Sequence, residues 1–517
     1  MLKMCYLKTS NIALHKREKW FAMTTQTQLI KVHPNDNVAV ATMPLSAGEH
    51  IASPALDLLD DIPAGHKVAL QPISAGQAIV KYGFTIGIAQ VDIAQGQHIH
   101  SHNLKTALSG QESYTYTPKS VPAPITRPSV ASFMGYRRDN GKVGIRNEIW
   151  IINTVGCVNR TAERIAAECD RRFFGECDGF RAFTHPFGCS QLGDDLNDTQ
   201  TILASLASHP NAGAVLIVGL GCENNQLSAL LEKVDRPANR IRYFNSQQVG
   251  NEIEEGIRLV HEMLGEVGKD KREPIPATEL VLGMKCGGSD AFSGITANPL
   301  VGRMTDLMCE QGGSVLLTET PEMFGAEQLL MNRATSEPVF EQIVSLVNEF
   351  KQYFLDNNQP VYENPSPGNK AGGLTTLEEK SLGAVQKGGQ AAVNGVLHYG
   401  EPMKHKGLNL LQAPGNDAVS STALAASGAH IVLFTTGRGT PLGFPVPTIK
   451  ISSNSDIAQK KPHWIDFNAG QVLQGVSIDD CAAQLYQQCL NIASGQQTCN
   501  EKNGSHEIAI WKRGVTL

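Results

Sequence analysis

Ala214-Val-Leu-Ile-Val-Gly-Leu220, followed at once by Gly221-Cys222-Glu223-Asn224-Asn225, decides the fold class. A short run of aliphatic residues with no polar alternation has both faces buried, as in the middle strand of a parallel sheet. The polar, glycine-rich tail then marks the carboxyl end of that strand, where open α/β sheets place their ligands. The same grammar recurs along the chain. Glu148-Ile-Trp-Ile-Ile-Asn153 runs into Thr154-Val-Gly-Cys157, and Leu280-Val-Leu-Gly-Met284 into Lys285-Cys286-Gly-Gly-Ser-Asp290. Ser314-Val-Leu-Leu317 leads to Thr318-Glu319-Thr-Pro-Glu322, and Leu408-Asn-Leu-Leu411 to Pro414-Gly-Asn-Asp417. His430-Ile-Val-Leu-Phe434 leads to Thr435-Thr-Gly-Arg-Gly-Thr440. Helical patterns, such as Arg160 to Arg172, separate most of these strands, and the alternation predicts mainly parallel sheets in two α/β units.

Upstream the texture differs. Leu45-Ser-Ala-Gly48, Ile62-Pro-Ala-Gly65, Ile73-Ser-Ala-Gly76 and Ile93-Ala-Gln-Gly96 repeat one plan, an apolar residue leading to a glycine that suits a turn with positive φ. Short alternating strands flank them, so a small β-rich domain precedes the α/β units. The expected organisation is an extra, disordered N-terminal segment over 1–26, a β domain over 27–106 and a proline-rich linker over 107–134. A first α/β domain over 135–360 and a second over 361–517 complete it.

The chain has 517 residues, 44 Lys and Arg against 50 Asp and Glu, and a formal net charge of −6. That balance excludes a basic nucleic-acid surface. No apolar run reaches the roughly 18–20 residues that cross a bilayer, and the first 22 residues lack the apolar core of a secretory signal. The 11 cysteines are odd in number and carry no disulfide spacing. These features predict reduced thiols and a cytoplasmic location. The sequence leaves the oligomeric state open, a homo-oligomer included.

The chemistry-bearing residues gather in six places. In Gln97-His98-Ile-His100-Ser-His102, alternation puts the imidazoles on one face, and neutral imidazole suits borderline divalent metals. His98 and His100 are the expected metal ligands, with His100 also a catalytic candidate; His102 ranks behind them. Cys157, Cys189, Cys222 and Cys286 stand at or near strand ends, where thiolates could hold iron or an iron–sulfur cluster despite the absence of CxxC spacing. His185, in Thr184-His-Pro-Phe-Gly-Cys189, is a candidate base. Ser289 and Asp290, in a Gly-rich loop before a helical stretch, could cradle an anionic substrate. Asn369 and Lys370 sit in Glu363-Asn-Pro-Ser-Pro-Gly-Asn-Lys370, the lysine able to pair with a carboxylate or act as a base. Asn416 and Arg438 complete the expected substrate contacts, Arg438 being suited to bidentate carboxylate binding.

Several of these stretches form a pattern. Gly135-Tyr-Arg-Arg-Asp-Asn-Gly-Lys-Val-Gly-Ile-Arg-Asn147, Thr154-Val-Gly-Cys-Val-Asn159, Gly188-Cys-Ser-Gln-Leu-Gly-Asp194, Gly219-Leu-Gly-Cys-Glu-Asn-Asn225 and Cys286-Gly-Gly-Ser-Asp290 resemble the altronate/galactarate dehydratase family. The likeness runs from about residue 27 to Leu517. It implies an SAF-type N-terminal β domain carrying His98 and His100. It also implies a hydro-lyase that converts D-altronate to 2-dehydro-3-deoxy-D-gluconate within galacturonate breakdown, dependent on Fe²⁺ with Mn²⁺ as a substitute. The small-molecule sugar acid is then the partner. A galactarate dehydratase, a sulfolactate sulfo-lyase and a non-catalytic sugar-acid sensor are the rival expectations.

Overall fold

The computed structural model describes residues 27–108, 110–119 and 131–517. The segment 1–26, read from sequence as disordered, and the middle of the linker, 120–130, lie outside the described residues.

The β-rich region begins with an antiparallel four-stranded sheet of Leu29–Ile30, Val38–Ala41, Lys67–Ala69 and His98–Ile99. A second antiparallel sheet holds Ala78–Lys81, Phe84–Ala89 and Leu104–Lys105. The four repeat glycines, Gly48, Gly65, Gly76 and Gly96, all have φ between +81° and +84°. The turn chemistry expected from the repeat is thus met, since side chains with a Cβ rarely adopt that conformation. The register pairs Lys67 with Ile99 and Val68 with His98. Continued by one residue, it sets His66 opposite His100.

Two parallel sheets follow. In the first, β1 (Glu148–Asn153), β2 (Phe180–Phe183), β3 (Ala212–Gly219) and β4 (Ile241–Asn245) lie in the order β2-β1-β3-β4. All eight residues of β3 are buried, as its unbroken apolar reading requires. Each large aliphatic side chain so buried contributes about 1.5–3 kcal/mol. The helix α1 (Asn159–Arg172) packs Ala162, Ile165 and Cys169 onto this sheet.

The second sheet contains β5 (Val281–Cys286), β6 (Ser314–Leu317), β7 (Val393–Leu397), β8 (Gly407–Leu411), β9 (Ile431–Thr436), β10 (Thr448–Ser452) and β11 (Phe467–Asn468). It is parallel throughout, in the order β7-β8-β6-β5-β9-β10-β11. It draws strands from both sides of residue 360, so the boundary expected at 360/361 runs through one sheet. The Pro/Gly-rich stretch there has a different use. It forms the short helix α2 (Pro367–Ala371) and leads to α3 (Leu377–Ala384), both set against the β-rich region. The linker is also not free where it is described, because Tyr114 donates to Glu327 at 2.5 Å and Tyr116 to the Ala334 carbonyl at 3.2 Å. Among the described residues no helix is long and apolar enough to cross a membrane.

Candidate active site

The carboxyl edge of the seven-stranded sheet carries a dense set of charges. Lys285, next to last in β5, is fully buried and bonds Glu319, with Asp417 at 2.9 Å. Lys387 reaches the other Glu319 oxygen at 2.7 Å, and Lys380 reaches Glu322 at 2.7 Å. The Cys286 thiol donates to Glu322 at 3.1 Å, and its backbone N–H donates to Glu319 at 2.9 Å. Burial, with the two carboxylates beside it, pushes the Cys286 thiol up to about 12. Burial alone would raise Glu322, but Lys380, Lys285 and Lys387 outweigh it and hold the carboxyl ionised. Burial likewise opposes the charge on Lys285, Lys380 and Lys387, yet their acidic neighbours hold all three protonated.

A cleft of about 490 Å³ opens beside this network, lined by Cys286, Glu322, Asn364, Lys370, Lys380 and Asp417 among others. Lys380 is fixed there by Glu322 and by Asn364 Oδ1 at 3.1 Å. A cavity of similar volume, about 500 Å³, lies around Val32, Phe84, Arg303 and Arg333. Its two arginines are already committed, Arg303 to Asp479 at 2.8 Å and Arg333 to the carbonyls of Gly388 and Gly389.

The β-rich region closes on the cleft through histidines. His100 Nε2 lies 2.9 Å from the Lys370 carbonyl, and His66 Nε2 lies 3.4 Å from the Ala371 carbonyl. His66 Nδ1 meets His98 Nε2 at 3.0 Å, and the His66 and His100 rings stack with centroids 4.9 Å apart. Burial holds His98 down to about 4 and lowers His66 and His100, with the nearby Lys67 charge acting in the same direction. Lys67 and Lys81 both grip Glu379, at 2.9 and 2.7 Å, and fasten the β-rich region to α3.

Two groups could hold a divalent metal. Cys286, Glu319 and Glu322 have ligand atoms within 4.8 Å of one another. Both Glu319 oxygens are already taken by ammoniums, and the thiol is held protonated, so a second cation there meets three lysine charges. The histidines fit better. Carbonyls take the Nε2–H of His66 and His100, an outer-shell pattern seen around metal-binding imidazole, while His66 Nδ1 faces His98 Nε2 at 3.0 Å and His100 Nδ1 faces the Ser101 hydroxyl at 3.1 Å. His66 was not among the sequence candidates. The register across from His100 was its only signal.

The other candidates are accounted for residue by residue. Asn369 completes the capping box that Ser366 opens on α2 and donates to the Ser289 carbonyl at 2.7 Å. Asp290 is spent within the fold: it accepts from the Ser293 N–H and hydroxyl, the Ser453 hydroxyl and Asn454 Nδ2. Asn416 caps the helix Asp417–Ala426 by accepting from Val419 N–H at 3.1 Å, which leaves Asp417 to face the lysines. Arg438 is exposed and donates to the Gly368 carbonyl at 3.2 Å. His185 departs from expectation. It belongs to the four-stranded unit, 2 % exposed, with Nε2 on the Asn153 carbonyl at 2.9 Å and Nδ1 accepting from Phe187 N–H. Both ring nitrogens hold backbone, so this histidine pins a loop and presents no lone pair to a substrate. His102 is exposed beyond the strand end. Cys286 alone of the four cysteines reaches the cleft; Cys157, Cys189 and Cys222 lie exposed on the other sheet.

Three family models match successive parts of the chain. They are the altronate/galactarate dehydratase SAF domain over 27–107, the D-galactarate dehydratase/altronate hydrolase second domain over 135–268, and the D-galactarate/altronate dehydratase C-terminal region over 277–516. Altronate dehydratase of Escherichia coli K12 is 51% identical over 95% of this chain and 100% of its own length. Altronate dehydratase of Bacillus subtilis 168 is 51% identical over 94% of this chain and 99% of its own. Galactarate dehydratase (L-threo-forming) of Escherichia coli K12 is 34% identical over 93% and 96%. With an SAF domain at the N-terminus as the resemblance implied, and relatives 51% identical over almost their whole length, the chain belongs to the altronate/galactarate dehydratase family.

Proposed function

We propose that this chain dehydrates D-altronate to 2-dehydro-3-deoxy-D-gluconate, and that the cleft at Lys380 is where it does so. The observation that carries the reading is a buried Lys380, its ammonium favoured by the Glu322 carboxylate, lining a cleft of about 490 Å³ that Lys370 also lines. The 51% identity to two altronate dehydratases supports that substrate over galactarate.

The difficulty of the reaction is the C2 proton, which sits beside a carboxylate that is already negative. A fixed ammonium stabilises the charge that builds on the carboxylate oxygens as that proton leaves. Lys380 is suited to this because Glu322 and Asn364 hold it in place before substrate arrives. Lys370 takes the C2 proton. The resulting ammonium hands it to the hydroxyl on the adjacent C3, which leaves as water. One group serves both steps because the two atoms are neighbours, and the enol then tautomerises to the 2-keto acid. His98 and His100 would hold a divalent ion, Fe²⁺ by family resemblance. Such an ion, when bound, supplies Lewis-acid stabilisation of the substrate's oxygens. Asp417 and the Lys285–Glu319–Lys387 chain keep the cleft floor ordered and charged.

Purified protein with Fe²⁺ is to be assayed against D-altronate, galactarate and sulfolactate. Turnover of altronate in preference to the other two is expected. Absence of keto-acid product from altronate, with binding intact, would leave only the sensor reading.

A further inference from the structure

Cys157, Cys189 and Cys222 take no part in the cleft, yet their placement is far from random. They follow β1, β2 and β3, three adjacent strands of one parallel sheet, so all three emerge at the same edge. They are exposed, whereas the other seven described cysteines are buried or half-buried. Free cysteine is among the most buried residue types. Three exposed thiols on neighbouring strand ends therefore call for a chemical reason.

The loops that carry them are tied together. Gly156 N–H donates to the Phe187 carbonyl at 2.9 Å, and Asn225 N–H to the Gly188 carbonyl at 2.9 Å. Ser190 N–H donates to Asn224 Oδ1 at 2.7 Å, and Asn225 Nδ2 to the Thr154 carbonyl at 2.8 Å. At Gly188, φ is +101° and a Cβ would stand 2.1 Å from the Thr154 carbonyl oxygen, so glycine is required for the loops to approach this closely. Glu223, the nearest carboxylate in sequence to Cys222, is turned inward to the N–H groups of Leu220 and Gly221 and to Thr154. The ligand chemistry left at the surface is thiol. Gln247 Nε2 donates to Cys222 Sγ at 3.4 Å, the kind of outer-shell donor that supports a metal-bound sulfur.

The spacing selects the class of ligand. Thiolates around a single tetrahedral ion at about 2.3 Å stand roughly 3.8 Å apart. Among the described residues the only group of three candidate ligands within 4.8 Å of one another is Cys286, Glu319 and Glu322. At least one pair of the three exposed sulfurs therefore stands more than 4.8 Å apart, too far to share one tetrahedral ion. The geometry points to an iron–sulfur cluster of the four-iron type, held by Cys157, Cys189 and Cys222, with one iron lacking a protein thiolate. Cys157 lies in the turn that opens α1, where the helix N-terminus complements an anionic, thiolate-bound cluster.

Loading is a ligand exchange without change of oxidation level. Three cysteine thiols displace three small thiolates from a preformed cluster. Three new iron–sulfur bonds replace three old ones, and each cysteine proton leaves on a departing small thiol. The site stands apart from the proposed altronate chemistry, and its test does not read turnover.

The full chain, purified anaerobically, is incubated with a preformed four-iron cluster carrying small thiolate ligands and then desalted. About four irons and four acid-labile sulfides per chain should be retained, with a visible charge-transfer band. Cys157→Ser, Cys189→Ser and Cys222→Ser should each lose most of that sulfide, while Cys286→Ser keeps it. Retention of no sulfide by the wild-type protein would overturn the proposal, as would equal retention in all three serine variants. Tight binding of a single Zn²⁺ with no retained sulfide would also overturn it.

Discussion

His100 Nε2 and the main-chain carbonyl of Lys370, 270 residues apart in sequence, meet at 2.9 Å. This contact ties the histidine face of the β-rich region to the residue assigned the C2 proton. The carbonyl orients His100, while the Lys370 side chain lines the cleft. His98→Ala removes an imidazole facing His66 without touching that contact. We expect it to lose metal affinity by about 10–100-fold or more and turnover with it, read by iron content after dialysis and by keto-acid production. Iron content and rate equal to wild type would place the metal elsewhere.

Lys370→Ala should keep the fold and lower kcat by about 10²–10⁴-fold, the usual contribution of a positioned acid–base group. Because the same amine is assigned both proton steps, exchange of the altronate C2 hydrogen with deuterated solvent should fall in parallel. Exchange that persists while dehydration stops would assign the base to another residue.

Lys380→Met acts on both stability and chemistry. It strips Glu322, 4 % exposed, of its closest cation. A buried carboxylate left without its partner costs about 3–5 kcal/mol. A lower urea midpoint and loss of altronate binding are expected together. Lys380→Arg should restore more of the stability than of the rate, since a planar guanidinium cannot take the ammonium's position between Glu322 and Asn364.

Glu379→Gln tests how the β-rich region is fastened. One carboxylate neutralises two buried ammoniums, Lys67 and Lys81, and burial already pulls Lys67 down to about 8. Losing that charge should destabilise the protein by about 3–5 kcal/mol. The β-rich region, residues 27–107, should then become more sensitive to protease. Unchanged protease resistance would mean that apolar contacts alone hold the region down.

Acid should weaken the fold through its neutral histidines. Burial lowers His185 and His430 from 6.5 to about 4. Between those values the unfolded chain binds protons that the folded chain refuses, so stability is complete above pH 6.5 and is lost as pH falls towards 4. For each residue the loss is on the order of 3 kcal/mol. Urea midpoints at pH 7 and pH 4.5 measure it, and His430→Gln should shrink the difference.

The sequence by itself determined the local pieces. Unbroken aliphatic runs named the strands, their polar tails named the carboxyl edges, and the repeat Gly48, Gly65, Gly76 and Gly96 named turns that only a residue without a Cβ makes easily. Strand alternation put His98 and His100 on one face. The tertiary structure decided which of those edges face each other. His185 and Asp290 read as chemistry in sequence, but packing committed their polar atoms to backbone and to neighbouring side chains. His66, Lys380 and Glu322 carried little local signal, because their roles come from partners tens to hundreds of residues away. Local periodicity reports how a segment buries its own face. It carries no record of which distant charge will compensate a buried lysine, and that pairing is what shapes the cleft.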